Sequence, residues 1–169
     1  NRHPRVKILQ PGPGVGGHCI AVDPWFIISK TPEDAKLIKT ARLVNDSKPE
    51  WVLNKVYEAI ESIDKEPKDI VVACLGLAFK PNIDDLRESP ALFIAEKLAS
   101  QCVGPVLAVE PHIEKLPNNV VSKLGLTTIE NALLEADIAV ILVDHDAFKE
   151  ANISGYSALS IIDTRGLLA

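Results

Sequence analysis

A chain of 169 residues, 47% of them hydrophobic and 24% charged, is long enough for one compact domain of roughly 100 to 150 residues with an appended segment, and its composition excludes disorder. The formal net charge of -5 excludes a broad nucleic-acid or anionic-membrane surface and leaves room only for a local phosphate site made by a few cations. Along the chain, the run Pro11-Gly12-Pro13-Gly14-Val15-Gly16-Gly17 comes first. Its glycines permit close backbone approach and its prolines forbid a ladder, so it predicts a shaped loop. Thr31 is the expected N-cap of a helix reaching about residue 44, with Pro32 in its first turn. Pro49 starts a second helix, in which Val52, Leu53, Val56, Tyr57, Ile60 and Ile63 recur at helical spacing and predict an apolar stripe for packing.

From residue 69 the pattern changes to short apolar runs alternating with helices: strands over 70–77, 106–109, 138–143 and 160–162, helices over 89–100 and 129–136. Apolar runs without polar alternation suit parallel strands covered on both faces. The expected fold is α/β, a small doubly wound parallel-sheet (Rossmann-like) domain over 69–169, preceded by a glycine-rich loop and helical segment over 1–68.

Ligands of such sheets collect at the carboxyl ends of the strands. Lys80 follows the first strand and Arg165 the last, and Ser89-Pro90 opens a helix whose free N–H groups favour an anion. Together they predict a phosphate-bearing ligand, although either cation alone reads as a solvated surface residue. The glycine run has the spacing of a dinucleotide fingerprint but no preceding strand, and Pro24 is expected to interrupt any helix after it, so a Rossmann-loop reading is rejected. What remains is Cys19 directly behind a glycine loop, beside His18 and four residues before Asp23. A reactive thiolate needs such an accessible setting. Cys74, inside an apolar run, and Cys102 read as small buried hydrophobes. The three cysteines form no CxxC pair, so neither a disulfide framework nor a metal site is expected, and a reducing, cytoplasmic setting fits. No apolar stretch reaches the ~20 residues of a membrane span, and the first residue, Asn1 rather than Met, suggests excision from something longer.

The run from Pro11 to Phe26, then Gly76-Leu77-Ala78-Phe79-Lys80-Pro81 with Asp85-Leu86-Arg87-Glu88-Ser89-Pro90, then Asp163-Thr164-Arg165, resembles the UDP-glucose/GDP-mannose dehydrogenase family over essentially the whole chain. His18 before the cysteine and Asp23-Pro24-Trp25-Phe26 after it resemble its branch acting on UDP-N-acetyl-D-mannosamine, with UDP-N-acetylglucosamine the nearest rival. The resemblance implies a two-step NAD-dependent oxidation of a sugar C6 alcohol to a carboxylate, with Cys19 as the nucleophile that holds the aldehyde and Asp23 assisting water or proton handling. It implies substrate contacts at Gly16, Phe79, Lys80 and Arg165, contacts from His3 and Arg5 across a homodimer interface, and an approach of Arg87 to the NAD phosphates. The family's amino-terminal NAD-binding domain has no counterpart in these residues, so the chain alone is expected to be inactive. The other class of function weighed is a non-catalytic nucleotide-sugar binding module, in which Cys19 is incidental.

Overall fold

The computed structural model describes residues 4–5, 10–101, 104–118, 120, 124–156 and 159–168. His3 and Cys102 lie outside the described residues. Three helices come first: α1 (Cys19–Lys30), α2 (Lys36–Asp46) and α3 (Lys48–Ser62). Then follow β1 (Val72–Leu75), α4 (Pro90–Gln101), β2 (Val106–Val109), β3 (Leu124–Leu126), α5 (Ile129–Glu135), β4 (Ile138–Ile141), α6 (Asp146–Glu150) and β5 (Ser160–Asp163).

The five strands form one sheet in the order β3-β2-β1-β4-β5, and every neighbouring pair is parallel. The unbroken hydrophobicity of the strands follows from two cores. Val72 and Cys74 of β1, with Ile138 and Val140 of β4, pack under α4 and the Val52, Leu53 and Val56 stripe of α3. Ala73 and Leu75, with Ala139 and Ile141, face the opposite core with Ala132 and Leu133 of α5 and Phe148 of α6. Successive side chains point to opposite faces and both faces are covered, so no position in β1 or β4 can be polar. The α3 stripe serves as the sequence predicts. Tyr57, Ile60 and Ile63 complete it at the edge of the same core.

Two local expectations are corrected and one strand is added. Pro24 does not prevent a helix after the glycine loop but lies inside α1. It stands in the second turn, where its ring removes a single bond, to the carbonyl of exposed Ile20, which water can satisfy. Thr31 does not cap the next helix. It closes α1, its N–H and its hydroxyl both donating to the Ile27 carbonyl at 3.0 and 3.1 Å, and α2 starts only at Lys36. Finally, β3 went unpredicted because it is three residues long with Gly125 at its centre. Ser89 does cap α4: its Oγ accepts from the Leu92 N–H at 3.3 Å and donates to the Leu77 carbonyl at 2.6 Å, tying the helix start to the end of β1. Among the described residues no helix is long and apolar enough to cross a membrane.

Candidate functional site

In the order β3-β2-β1-β4-β5 the chain leaves β1 toward one side of the sheet and β4 toward the other, which opens a crevice at their carboxyl ends. A cleft of about 300 Å³ lies there. Ala78, Phe79 and Lys80 after β1, Leu142, Val143 and Asp144 after β4, and Arg165 after β5 form one wall, and Pro13, Gly14, Val15 and Gly16 of the glycine loop with Ile20 of α1 form the other. Four of the predicted contact residues, Gly16, Phe79, Lys80 and Arg165, thus meet around one space.

The glycine loop is held against the sheet edge from three sides. The Val15 N–H donates to Asn45 Oδ1 at the end of α2 at 2.9 Å. Arg165 donates from one terminal nitrogen to the Pro11 carbonyl at 3.0 Å and from Nε to Asp144 at 2.8 Å. The third contact is steric: a Cβ on Gly16 would fall 2.3 Å from the Glu88 carbonyl oxygen and 2.7 Å from Pro90 Cδ. Gly17, at φ +84°, lies against the Phe79 ring. Only residues without a Cβ allow this approach.

Arg165 is itself presented by a built turn. Asp163 at the end of β5 accepts from the Arg165 and Leu168 N–H groups, both at 2.9 Å, and Gly166 adopts φ +69°. The Arg165–Asp144 pair is half-buried, with side chains 15% and 26% exposed, so the guanidinium is held in place on the cleft wall. Lys80 is exposed, with its ammonium 5.6 Å from the Phe79 ring centroid.

Cys19 is exposed and is the first residue of α1. In sequence it stands between Gly16 and Ile20, both of which line the cleft. Asp23 is exposed on the same helix, and its spacing of four places it on the Cys19 face. Arg87 and Arg5 are not among the described residues lining this cleft. Arg87 is bonded through Nε and a terminal nitrogen to Asp85. This guanidinium holds the Asp85 carboxyl down at about 2. Arg5 sits in an exposed turn with Pro4.

Sequence reading missed one element of the site. Glu110 and His145 have fully buried side chains, with Glu110 Oε2 and His145 Nε2 3.1 Å apart. The carboxylate accepts the N–H groups of Leu77 and Ala78 at 2.8 and 3.0 Å and, at its other oxygen, the His112 N–H at 3.2 Å. Burial pushes the Glu110 carboxyl up, but the bonds from His145, Leu77 and Ala78 outweigh it and the net shift is downward. The only available signal was polar residues at strand ends, Glu110 after β2 and His145 after β4.

Residues 73–169 match the UDP-binding domain of the UDP-glucose/GDP-mannose dehydrogenase family, and residues 1–47 match its central domain. The chain is 52% identical, over 99% of its length, to a UDP-N-acetyl-D-mannosamine dehydrogenase of Escherichia coli K12, of which it covers 41%. It is 56% identical, again over 99% of its length, to an NDP-N-acetyl-D-galactosaminuronic acid dehydrogenase of Ralstonia nicotianae, of which it covers 38%. The chain therefore spans about two fifths of the length of these curated relatives. Among solved structures, a UDP-D-ManNAc dehydrogenase from Pyrococcus horikoshii superposes with a TM-score of 0.80 at 34% identity, over 99% of this chain and 38% of that one. A UDP-N-acetyl-mannosamine dehydrogenase from Staphylococcus aureus gives 0.74 at 40% identity, over 98% of this chain and 38% of that one. With its UDP-binding domain matched over more than half of its residues, this chain belongs to the UDP-glucose/GDP-mannose dehydrogenase family.

Proposed function

We propose that this chain is the nucleophile-bearing and nucleotide-holding part of an NAD-dependent nucleotide-sugar 6-dehydrogenase that oxidises UDP-N-acetyl-D-mannosamine to the uronate. The observation that carries this reading is the one cleft lined by Gly16, Phe79, Lys80 and Arg165, with exposed Cys19 in the chain between its lining residues Gly16 and Ile20. A nucleoside diphosphate laid against Phe79, Lys80 and Arg165 directs its sugar toward the glycine loop and Cys19. Residues 69–169 then hold the nucleotide and residues 1–68 deliver the cysteine, with α3 fastening the two.

On this reading the Cys19 thiolate adds to the C6 aldehyde produced by the first oxidation, forming a carbon–sulfur bond and a thiohemiacetal. The open N–H groups of the first turn of α1 favour the oxyanion. Loss of the C6 hydrogen with its electron pair gives the thioester. Water, with Asp23 of the same helix face handling the proton, releases the carboxylate and the thiol. NAD is the hydride acceptor that both oxidations require, and the described residues do not fit it: the N–H groups following β1, where a pyrophosphate would sit in a dinucleotide domain, are occupied by Glu110. We therefore assign NAD to the portion of the parent protein outside these 169 residues, with Arg87 reaching toward it. Exposed apolar side chains on α1 and α2, Phe26, Leu37 and Val44 among them, support a further protein surface there, the remaining parent or a second protomer of a homodimer in which His3 and Arg5 reach the neighbouring cleft.

The test is made on the full-length parent. Cys19→Ala should abolish uronate formation from UDP-N-acetyl-D-mannosamine, followed by product analysis, because the second oxidation lacks its covalent adduct. Uronate at a rate near wild type would remove Cys19 as nucleophile and leave a nucleotide-sugar binding module. A second substrate assignment, an NDP-N-acetylgalactosamine-type sugar, is favoured by the 56% identity to the Ralstonia relative. Comparing kcat/KM across the epimers separates the two.

A further inference from the structure

The loop that carries Phe79 and Lys80 leaves β1 at a fixed place and returns to the sheet edge at Asn82. Just before this pair the N–H groups of Leu77 and Ala78 donate to Glu110 Oε2 at 2.8 and 3.0 Å. Just after it the Asn82 N–H donates to His145 Nδ1 at 3.0 Å. The two anchors are joined, His145 Nε2 lying 3.1 Å from the same Glu110 oxygen. Because Nδ1 accepts from Asn82, the imidazole proton is on Nε2 and is donated to the carboxylate. The ring is neutral, completely buried, and packed between His112 and Phe148 at centroid distances of 5.0 and 5.2 Å.

Asn82 is itself unusual. It adopts φ +62°, and its side chain exchanges two bonds with Asp146, Nδ2 donating to Oδ2 at 2.7 Å and Oδ1 accepting from the Asp146 N–H at 3.0 Å. The segment is therefore stapled to the start of α6 at one end and to the end of β2 at the other, with Phe79, Lys80 and Pro81 between. All three line the cleft.

We infer that the buried Glu110–His145 pair is a positioning device, which clamps both ends of residues 77–82 so that Phe79 and Lys80 meet the nucleotide in a preset arrangement. An apolar filling of the same space would avoid the cost of burying a carboxylate, but it would leave three loop N–H groups without acceptors and the segment free to shift. An arrangement fixed before binding spares the ligand the cost of ordering the loop. The inference rests on the reading that Lys80 holds the nucleotide, and its test is built to separate the two.

Calorimetric titration of the 169-residue chain with UDP measures affinity for wild type, His145→Leu, Lys80→Ala, their double variant and Arg165→Ala, with melting curves run alongside. His145→Leu removes both the acceptor for Asn82 and the donor to Glu110 and should weaken UDP about tenfold. In the Lys80→Ala background the same substitution should cost less, because only Phe79 is left for the clamp to position. His145→Gln offers an acceptor and a donor at similar reach and should restore most of the affinity, which a merely structural loss would not predict. Should His145→Leu not fold, His145→Phe carries the same cycle, since its ring keeps the packing between His112 and Phe148 but neither accepts from Asn82 nor donates to Glu110. An equal loss in both backgrounds, or a folded His145→Leu with wild-type affinity, overturns the inference. Lys80→Ala and Arg165→Ala that both bind UDP like wild type instead overturn the nucleotide cleft itself.

Discussion

Arg165 illustrates how far one side chain can be read before its surroundings are known. Its place after the last strand marks it from sequence as an anion ligand, but nothing in Asp163-Thr164-Arg165 announces that it also bonds the Pro11 carbonyl and Asp144. The guanidinium is paired with Asp144 and fastens the cysteine loop to the sheet. A diphosphate bound there, as proposed, would exchange bonds with it and not simply add them. A charge-assisted hydrogen bond contributes ~1.5 to 3 kcal/mol, and the exchange places Arg165→Ala at the lower end, about tenfold weaker UDP binding by calorimetry. Equal affinities would remove Arg165 from the cleft's function. Glu110 gives a second, pH-dependent expectation. Its folded carboxyl titrates below its ordinary value, so its contribution to stability is fully present above about pH 4.3 and is lost as pH falls through the lower folded value. Glu110→Gln should be less stable than wild type at neutral pH, with the gap closing in acid. A gap that stays constant down the acid limb of chemical unfolding would show that the carboxylate is not the stabilising species.

At the scale of elements, the glycine loop and α1 were half legible. The sequence predicts a loop for backbone approach, but what the loop approaches is set by residues some seventy positions away, Phe79, Glu88 and Pro90. The helix behind it was hidden by Pro24, because local propensity disfavours proline within a helix and no spacing rule conveys that a second-turn proline costs only one backbone bond. The parallel strands were clear because two covered faces demand continuous hydrophobicity. Three-residue β3 and five-residue α6 carry too few side chains for any periodicity to register. The clamp of Glu110 and His145 was invisible for another reason: its members are thirty-five positions apart and meet only once β2 and β4 have flanked β1. The steric fit of the loop makes its own prediction. A methyl on Gly16 meets a backbone oxygen and a proline ring, neither of which can swing aside, so Gly16→Ala must lift the loop from the sheet edge. Overpacking of this kind costs typically ~1 to 3 kcal/mol, visible as a lower melting temperature together with weaker UDP binding. Unchanged affinity in a Gly16→Ala protein would mean that the loop's seating does not shape the cleft.

Over the whole molecule, the sheet order of a dinucleotide domain has been put to a different use. In such domains the N–H groups after the first strand cradle a pyrophosphate and an acidic residue at the end of the second strand takes the ribose. Here the corresponding acidic residue, Glu110, turns inward and occupies those N–H groups itself. A crevice stays open between the β1 and β4 loops, and the glycine run near the start of the chain, despite its fingerprint-like spacing, is that crevice's second wall. On the proposed reading, the crevice takes one nucleotide, and the N–H groups after β1 offer no cradle for a second. The 169-residue chain should therefore bind UDP and yet produce no NADH when mixed with NAD and any UDP-sugar, followed by NADH absorbance. The comparison must be made on one preparation, so that UDP binding by calorimetry demonstrates a folded cleft in the sample that shows no turnover. NADH formation that scales with the concentration of the chain and disappears in Cys19→Ala would mean that these residues do house the cofactor, and the assignment of Glu110 as the occupant of the β1 N–H groups would then have to yield to a rearranged loop.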